Sequence, residues 1–529
     1  MHALVHSAAL AGVDAIEVSV EASIAGGLPG VHVVGLPDAA VREARERVRS
    51  ALRAARLTLP ASRVVVNLAP ADVRKEGPAF DLPIALALLA AQARLPQGRL
   101  AVASVVGELG LDGRVRSVRG LLALALAARA SGRRSLVLPA EQVGEVSDIE
   151  GLQLVPVTTL TEAIAWARGS DEVTGRTRPS GRGAVSADGN GVAADRATRP
   201  CAAASPALDL AEVRGQRVAK RVLEIAAAGG HHVLLLGPPG SGKTMLARRL
   251  PGLLPDLAAD EALEVARLHS LAGVGRSASL RRPPLREPHH TVSLPGLLGT
   301  PASLGELSLA HLGVLFLDEL PEFDRRALEA LREPLESGSL LLARSRARAR
   351  LPARVQLVAA MNPCPCGHAG DPLRPCRCLP GERTRYLSRV SGPLLDRLAL
   401  RVVMSSPAQA KPLAGGARGP PEDGGAASES SVTVARRAGE ARAQALARQG
   451  CLNALLSEPA LGRHAALPPA ARSLLSEALS SGRLGERGVD EVTRVARSIG
   501  DLAGHRALAL EDVAEALAYR AEVHDQKRR

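Results

Sequence analysis

The residues best able to do chemistry begin with the run Gly237-Pro238-Pro239-Gly240-Ser241-Gly242-Lys243-Thr244. Its glycines let the backbone curl until successive N–H groups point inward, and a helix starting there adds the positive end of its dipole. In such a cradle Lys243 reaches the β- and γ-phosphates of ATP and the Thr244 hydroxyl ligates Mg2+. Farther on, an apolar run ends in Asp318-Glu319. One carboxylate is suited to hold Mg2+ through water and the other to orient or polarise an attacking water. A third apolar run leads to Asn362, an uncharged donor and acceptor fitted to position that water beside the γ-phosphate. Arg397 stands just before another apolar stretch, where it could neutralise charge on a neighbouring molecule's nucleotide. Each has a plainer reading alone: a chance glycine turn, a helix N-terminus, a turn asparagine, an ion pair with Asp396. The order in which they occur favours nucleotide chemistry.

Elements must bring these groups together. Residues 233–236 are an apolar strand candidate, and a helical pattern follows Lys243. Across 207–404, strand and helix patterns alternate as a parallel sheet with flanking helices requires, and such sheets bind ligands at the carboxyl ends of their strands. Residues 1–167 read as a mixed domain; its helix over 41–52 carries Arg42, Glu43, Arg45, Glu46, Arg47 and Arg49, a face expected to be solvated. Residues 168–206 and 405–431 are rich in small and polar side chains and are expected to be flexible linkers. The region 432–525 has only helical periodicity.

Composition narrows the partners. The 529-residue chain carries a net charge of +13, which suits a polyanion. Its lysines are only Lys75, Lys220, Lys243, Lys411 and Lys527, so the excess is arginine and reads equally as a compositional bias. Six aromatic residues leave little for stacking on bases, so DNA or RNA would be held through its backbone. No apolar run is long enough to cross a membrane, and the first residues lack the basic region of a secretory signal. A cytoplasmic location without membrane contact is expected. Four cysteines, Cys364, Cys366, Cys376 and Cys378, form a C-x-C pair repeated after nine residues, a candidate structural Zn2+ site with His368 as a substitute ligand. Cys201 and Cys451 lie apart and read as incidental.

Longer stretches carry a resemblance. PHHTVS, GELSLAHLGVLFLDELPEF, LREPLESG, LVAAMNPCPCG and SGPLLDRLAL, with GLPGVHVVGLPDAAVREARERVRSAL, NLAPADVRKEGPAFDLPIALALLAA and VGELGLDG near the start, resemble the magnesium-chelatase-like AAA+ ATPases of the ComM/YifB family. The resemblance implies an α/β fold: an AAA+ P-loop core with a helical lid, preceded by a Lon-protease-like β-α-β domain. It makes Lys243 and Thr244 the Walker A pair, Asp318 and Glu319 the Walker B pair, Asn362 the first sensor, Arg397 a trans-acting arginine finger and Arg487 the second sensor. The family more often has Ser-x-Arg where this chain has Gly485-Glu486-Arg487, so Arg494 or Arg497 could share that role.

A finger acting in trans implies a ring, a homohexamer in related ATPases. The segment 338–352 resembles the hairpin before the sensor; its Arg344, Arg346, Arg348 and Arg350, spaced by two, would share one face of an extended strand and bind phosphates without reading bases. Where Lon carries its serine and lysine, this chain has Ala79 and Leu122, so no peptidase is expected. The function implied is an ATP-driven motor on branched or single-stranded DNA, with helicase or branch-migration activity in homologous recombination of imported DNA. The alternative is a protein remodeller or chelatase-like partner with no DNA substrate.

Overall fold

A computed structural model of the protein describes residues 2–60, 62–73, 75, 77–147, 149–170, 208–274, 281–300, 303–344, 347–371, 374–404 and 429–520. Most of the two expected linkers, 168–206 and 405–431, lies outside the described residues. Contacts divide the chain into two units, 1–201 with 263–278, and 202–262 with 279–529.

The first unit is built on a mixed seven-stranded sheet in the order 30–34, 63–69, 14–25, 2–11, 103–105, 135–139, 153–157. Strand His2–Ala11 pairs antiparallel with strand Asp14–Ala25, in register from His2 opposite Ser23 to Ala11 opposite Asp14, and the last four strands run parallel. Every residue of helix Asp81–Ala91 is buried, because the helix lies against strands 2–11 and 14–25 and also meets helix Ala39–Ala54. That position explains its unbroken apolar run, since a helix covered all round has no polar stripe. Helix Ala39–Ala54 begins at Asp38, whose Oδ1 accepts from Val41 N at 2.7 Å, and buries Val41, Ala44, Val48, Ala51 and Leu52.

Its charged face is not uniformly solvated, contrary to expectation. Arg47 donates to both oxygens of fully buried Asp81, at 2.6 and 2.9 Å. Burial pushes the Asp81 carboxyl up from its ordinary value, while the guanidinium and the Leu109 N–H pull it back. A buried acid compels its partner's position, and solvation on the helix surface yields to that pairing.

The segment 263–278, which the sequence places within the nucleotide domain, clusters with this first unit. Gly120 N donates to Ser270 O at 3.2 Å and Arg267 pairs with Asp14 at 3.1 Å. A Cβ on Gly120, whose φ is +68°, would come within 2.7 Å of Leu10 Cδ2 and 2.9 Å of Leu271 Cδ2. Only glycine tolerates both that backbone and that proximity.

The second unit holds a parallel five-stranded sheet in the order 285–286, 314–317, 356–361, 233–236, 400–403. Its central strands VLLL, VLFL and QLVAAM are buried throughout, as parallel strands covered on both faces must be. From Ser431 onward the described chain is helical, with helices Ser431–Gln449, Glu458–His464, Pro469–Ser480, Glu486–Ala503 and Leu510–Ala518. A polar knot ties three of its elements together: buried Asp501 accepts from Arg448 at 2.6 and 2.9 Å, from Arg497 at 3.1 Å and from Asn453 at 2.8 Å.

Candidate nucleotide site

The phosphate-loop residues follow strand Val233–Leu236 and lead into the short helix Lys243–Ala247. Gly240 and Gly242 take φ of +77° and +91°, a backbone other residues rarely adopt. A Cβ on Gly237 would lie 2.9 Å from Ser241 Oγ and 3.0 Å from Met404 O, so the loop is drawn tightly onto the sheet edge. Gly237 N donates to Met361 O at 3.2 Å, fastening the loop to the end of strand Gln356–Met361.

Parallel pairing aligns Leu236 with Met361 and Leu317 with Ala359, which brings the groups after each strand to one edge. Lys243 Nζ donates to Gly237 O at 2.7 Å, Pro238 O at 2.9 Å and Asn362 Oδ1 at 3.0 Å. Thr244 Oγ1 donates to Asp318 Oδ2 at 2.7 Å. Burial lowers the affinity of the Lys243 amine for its proton, and the charges of Asp318 and Glu319 oppose that effect.

These side chains fit ATP with Mg2+. The Lys243 ammonium is buried among neutral carbonyl and amide oxygens, with no carboxylate paired to it among the described residues, so a phosphate would be a stronger partner. Ser241 Oγ, buried in the same loop, has no hydrogen-bond partner among the described residues. The Thr244 hydroxyl and the Asp318 carboxylate are oxygen donors of the kind Mg2+ takes alongside phosphates.

Glu319 begins the turn Leu320–Glu322 in the left-handed region, with φ +53°. Its carboxylate lies 3.1 Å from His290 Nδ1. His290 was not singled out in the sequence; nothing in its spacing to Glu319 signals the contact, and only its place in PHHTVS marked the neighbourhood. Tyr386, buried and hydrogen-bonded to the Asn362 backbone, is a second supporting residue that spacing does not show; burial pushes its phenol up to about 12.

Arg397 and Arg487 come together through one carboxylate. Glu336 accepts from Arg397 Nη2 at 2.6 Å and lies 3.3 Å from Arg487 Nη2. Asp396, the plainer partner considered for Arg397, instead lies 3.6 Å from Arg401 and Arg520. Arg397, Arg487, Arg494, Glu336 and Glu491 border a cavity of about 710 Å³ whose lining includes none of residues 237–244. Arg494 pairs with Glu491 at 2.8 Å and donates to Leu456 O. Arg497 is 1% exposed and spends its donors on Asp501 and the carbonyls of His505 and Arg506, a structural assignment.

The four arginines of 338–352 do not lie along one strand. The hairpin pairs Ser339–Arg344 with Ala347–Pro352, setting Arg350 opposite Leu341, Arg348 opposite Ala343 and Arg344 opposite Ala347. The chain therefore reverses within the run, and the single shared face gives way to two paired strands. Arg346 lies outside the described residues, as do the side chains of Arg344 and Arg348. Exposed Arg350 donates to Ser339 Oγ at 3.3 Å.

The sulfurs of Cys364, Cys366, Cys376 and Cys378 all lie within 4.8 Å of one another. His368 is not part of that cluster; its Nδ1 lies 3.6 Å from Asp371.

Similarity to known proteins extends along nearly the whole chain. Residues 209–411 match the family described as magnesium chelatase, subunit ChlI; residues 20–142 match subunit ChlI of Mg-chelatase, and 428–520 match the C-terminal part of magnesium chelatase subunit ChlI. An uncharacterized protein of Mycobacterium tuberculosis is 45% identical over 520 residues, 97% of each chain. YifB of Escherichia coli, also described as uncharacterized, is 42% identical over 98% of this chain and 97% of its own. Competence protein ComM of Haemophilus influenzae is 40% identical over 98% of both chains. With relatives matched end to end and residues 237–244, Asp318, Glu319 and Asn362 gathered at one sheet edge, the chain belongs to the ComM/YifB family of magnesium-chelatase-like AAA+ proteins.

Proposed function

We propose that the protein is an ATP-hydrolysing motor that works as a ring, a homohexamer, and drives branched or single-stranded DNA during homologous recombination of imported DNA in the cytoplasm. The observation that carries the ATPase reading is the meeting of Lys243 with Asn362 and of Thr244 with Asp318 across three neighbouring strands. The name of the relative ComM supports a part in competence.

In this reading Lys243 and the loop amides bind the phosphates, and Thr244 and Asp318 hold Mg2+, which supplies charge neutralisation when bound. Glu319 orients the attacking water and takes its proton, with Asn362 fixing the water's second hydrogen bond. Arg397, leaving Glu336, offers its charge to the nucleotide of the next subunit, with Arg487 beside it. That transfer couples hydrolysis to motion between subunits. The N-terminal unit serves as a Lon-like binding or assembly domain without peptidase activity, and the helices after Ser431 act as the lid. Backbone phosphates of DNA meet the hairpin bearing Arg344, Arg346, Arg348 and Arg350.

A synthetic four-way junction tests substrate and energy coupling together. ATP-dependent migration by the wild type, abolished by Lys243→Ala, is the expected result. ATPase activity with no effect on junctions, and no DNA stimulation, overturns the DNA assignment. Changing the four hairpin arginines together to Ala should abolish retention of DNA on a filter; unchanged retention removes the hairpin from the DNA path.

A further inference from the structure

Between Met361 and Pro380 the described chain has no helix or strand, yet it contains fully buried Cys364 and runs directly from the sensor asparagine. A stretch of this length without ladder hydrogen bonds needs another source of order. Its sulfurs supply one. Cys364 Sγ lies 3.4 Å from Cys366 Sγ and 3.6 Å from Cys376 Sγ, and Cys366 Sγ lies 3.6 Å from Cys376 Sγ.

A tetrahedral ion with Zn–S bonds of about 2.3 Å holds its sulfurs about 3.8 Å apart, close to this spacing. The four are too near one another to surround a multi-iron cluster, and none is in a disulfide. Backbone amides also point at sulfur: Cys366 N donates to Cys378 Sγ at 3.4 Å and Ala369 N to Cys364 Sγ at 3.3 Å. Such donors stabilise thiolates, the form that binds a metal.

The same loop touches the phosphate cradle. Gly367, at φ +81°, sits so close to Pro239 that a Cβ there would lie 2.4 Å from the proline Cδ. Gly367 N donates to Cys364 O at 2.9 Å, so its position is set by the cysteine loop itself. Just upstream, Asn362 holds Lys243 and Met361 holds Gly237. Three successive parts of one segment thus bear on residues 237–243.

We propose that Cys364, Cys366, Cys376 and Cys378 bind one Zn2+ and that this zinc-closed loop, through Gly367 against Pro239, is the brace that keeps the phosphate loop in its nucleotide-binding shape. The proposal rests on the reading of residues 237–244 as a nucleotide cradle. It assigns zinc a positioning role with no part in hydrolysis.

The test uses the full-length protein purified without added metal, with zinc measured by elemental analysis and nucleotide affinity by titration with a fluorescent ATP analogue. Roughly one zinc per chain is expected. Removing it with a thiol-blocking mercurial and a chelator, then restoring thiols and zinc, should weaken nucleotide binding about 10-fold or more and recover it. The double variant Cys376→Ser/Cys378→Ser should lose zinc and affinity together. Gly367→Ala should keep zinc yet lose affinity, separating the brace from metal binding; it also remains informative if the cysteine variant does not fold.

Protein without zinc that binds nucleotide fully, iron in place of zinc, or zinc whose removal leaves affinity unchanged would each overturn the proposal. Wild type that holds zinc and binds no nucleotide would instead refute the cradle reading.

Discussion

His290 and Glu319 meet although they lie in separate segments, and their 3.1 Å contact gives the half-exposed carboxylate a partner at a left-handed backbone position. His290→Ala should lower kcat by roughly 10-fold, the order expected when a reacting group loses its alignment, while nucleotide affinity stays near wild type. A fall in affinity instead of kcat would count against an orienting role. Arg397→Ala should lower kcat by about 10³-fold in the assembled protein without altering nucleotide binding. Mixing the variant with Lys243→Ala protein should restore part of the activity if the arginine acts across subunits, and steady-state ATPase of the mixture measures it. The placement of residues 237–244, Asp318-Glu319 and Asn362 at strand ends was legible in the sequence because each follows a short apolar run. Glu336 was not: its partners lie 61 and 151 residues away, and no local pattern of charge shows which of the chain's many arginines will converge on it.

Among the elements, the helical region after Ser431 depends on Asp501, the acceptor shared by Arg448, Arg497 and Asn453. Asp501→Ala strands the buried Arg497 guanidinium and should cost about 3–5 kcal/mol, read from chemical denaturation. The strand carrying Val233 is preceded by His231, buried, and His232, half-buried; desolvation, chiefly, pushes their imidazoles down to about 3 and about 4. His232 Nδ1 accepts from Leu357 N at 3.0 Å, a bond available only to the neutral ring. Because the folded chain resists taking these protons and the unfolded chain accepts them near pH 6.5, their contribution is complete above that pH. It is lost as the medium acidifies toward pH 4 and below. Melting temperature against pH should decline through that window, and His232→Gln should flatten the decline. Periodicity revealed the strands and helices themselves, but the hairpin's reversal within its arginine run escaped it, since spacing by two is the same on one strand or on two.

For the molecule as a whole, the return of residues 263–278 to the first unit was not legible, because flexible composition marks where a chain leaves a unit and says nothing about where it returns. Residues 263–278 belong to the first unit while lying between residues 237–244 and Asp318, and they put Leu263 and Leu271 among its side chains. The chain consequently passes from one unit to the other three times, and cutting at residue 201 severs one passage and leaves two intact. A chain shortened to 202–529 should retain Lys243, Thr244 and Asp318 yet carry an orphaned apolar strip, and light scattering should show it aggregating where the full chain does not. Inheritance follows the same geometry, for a gene encoding such an interleaved fold cannot shed or exchange its opening third by a single cut and still leave each half with a sealed interior.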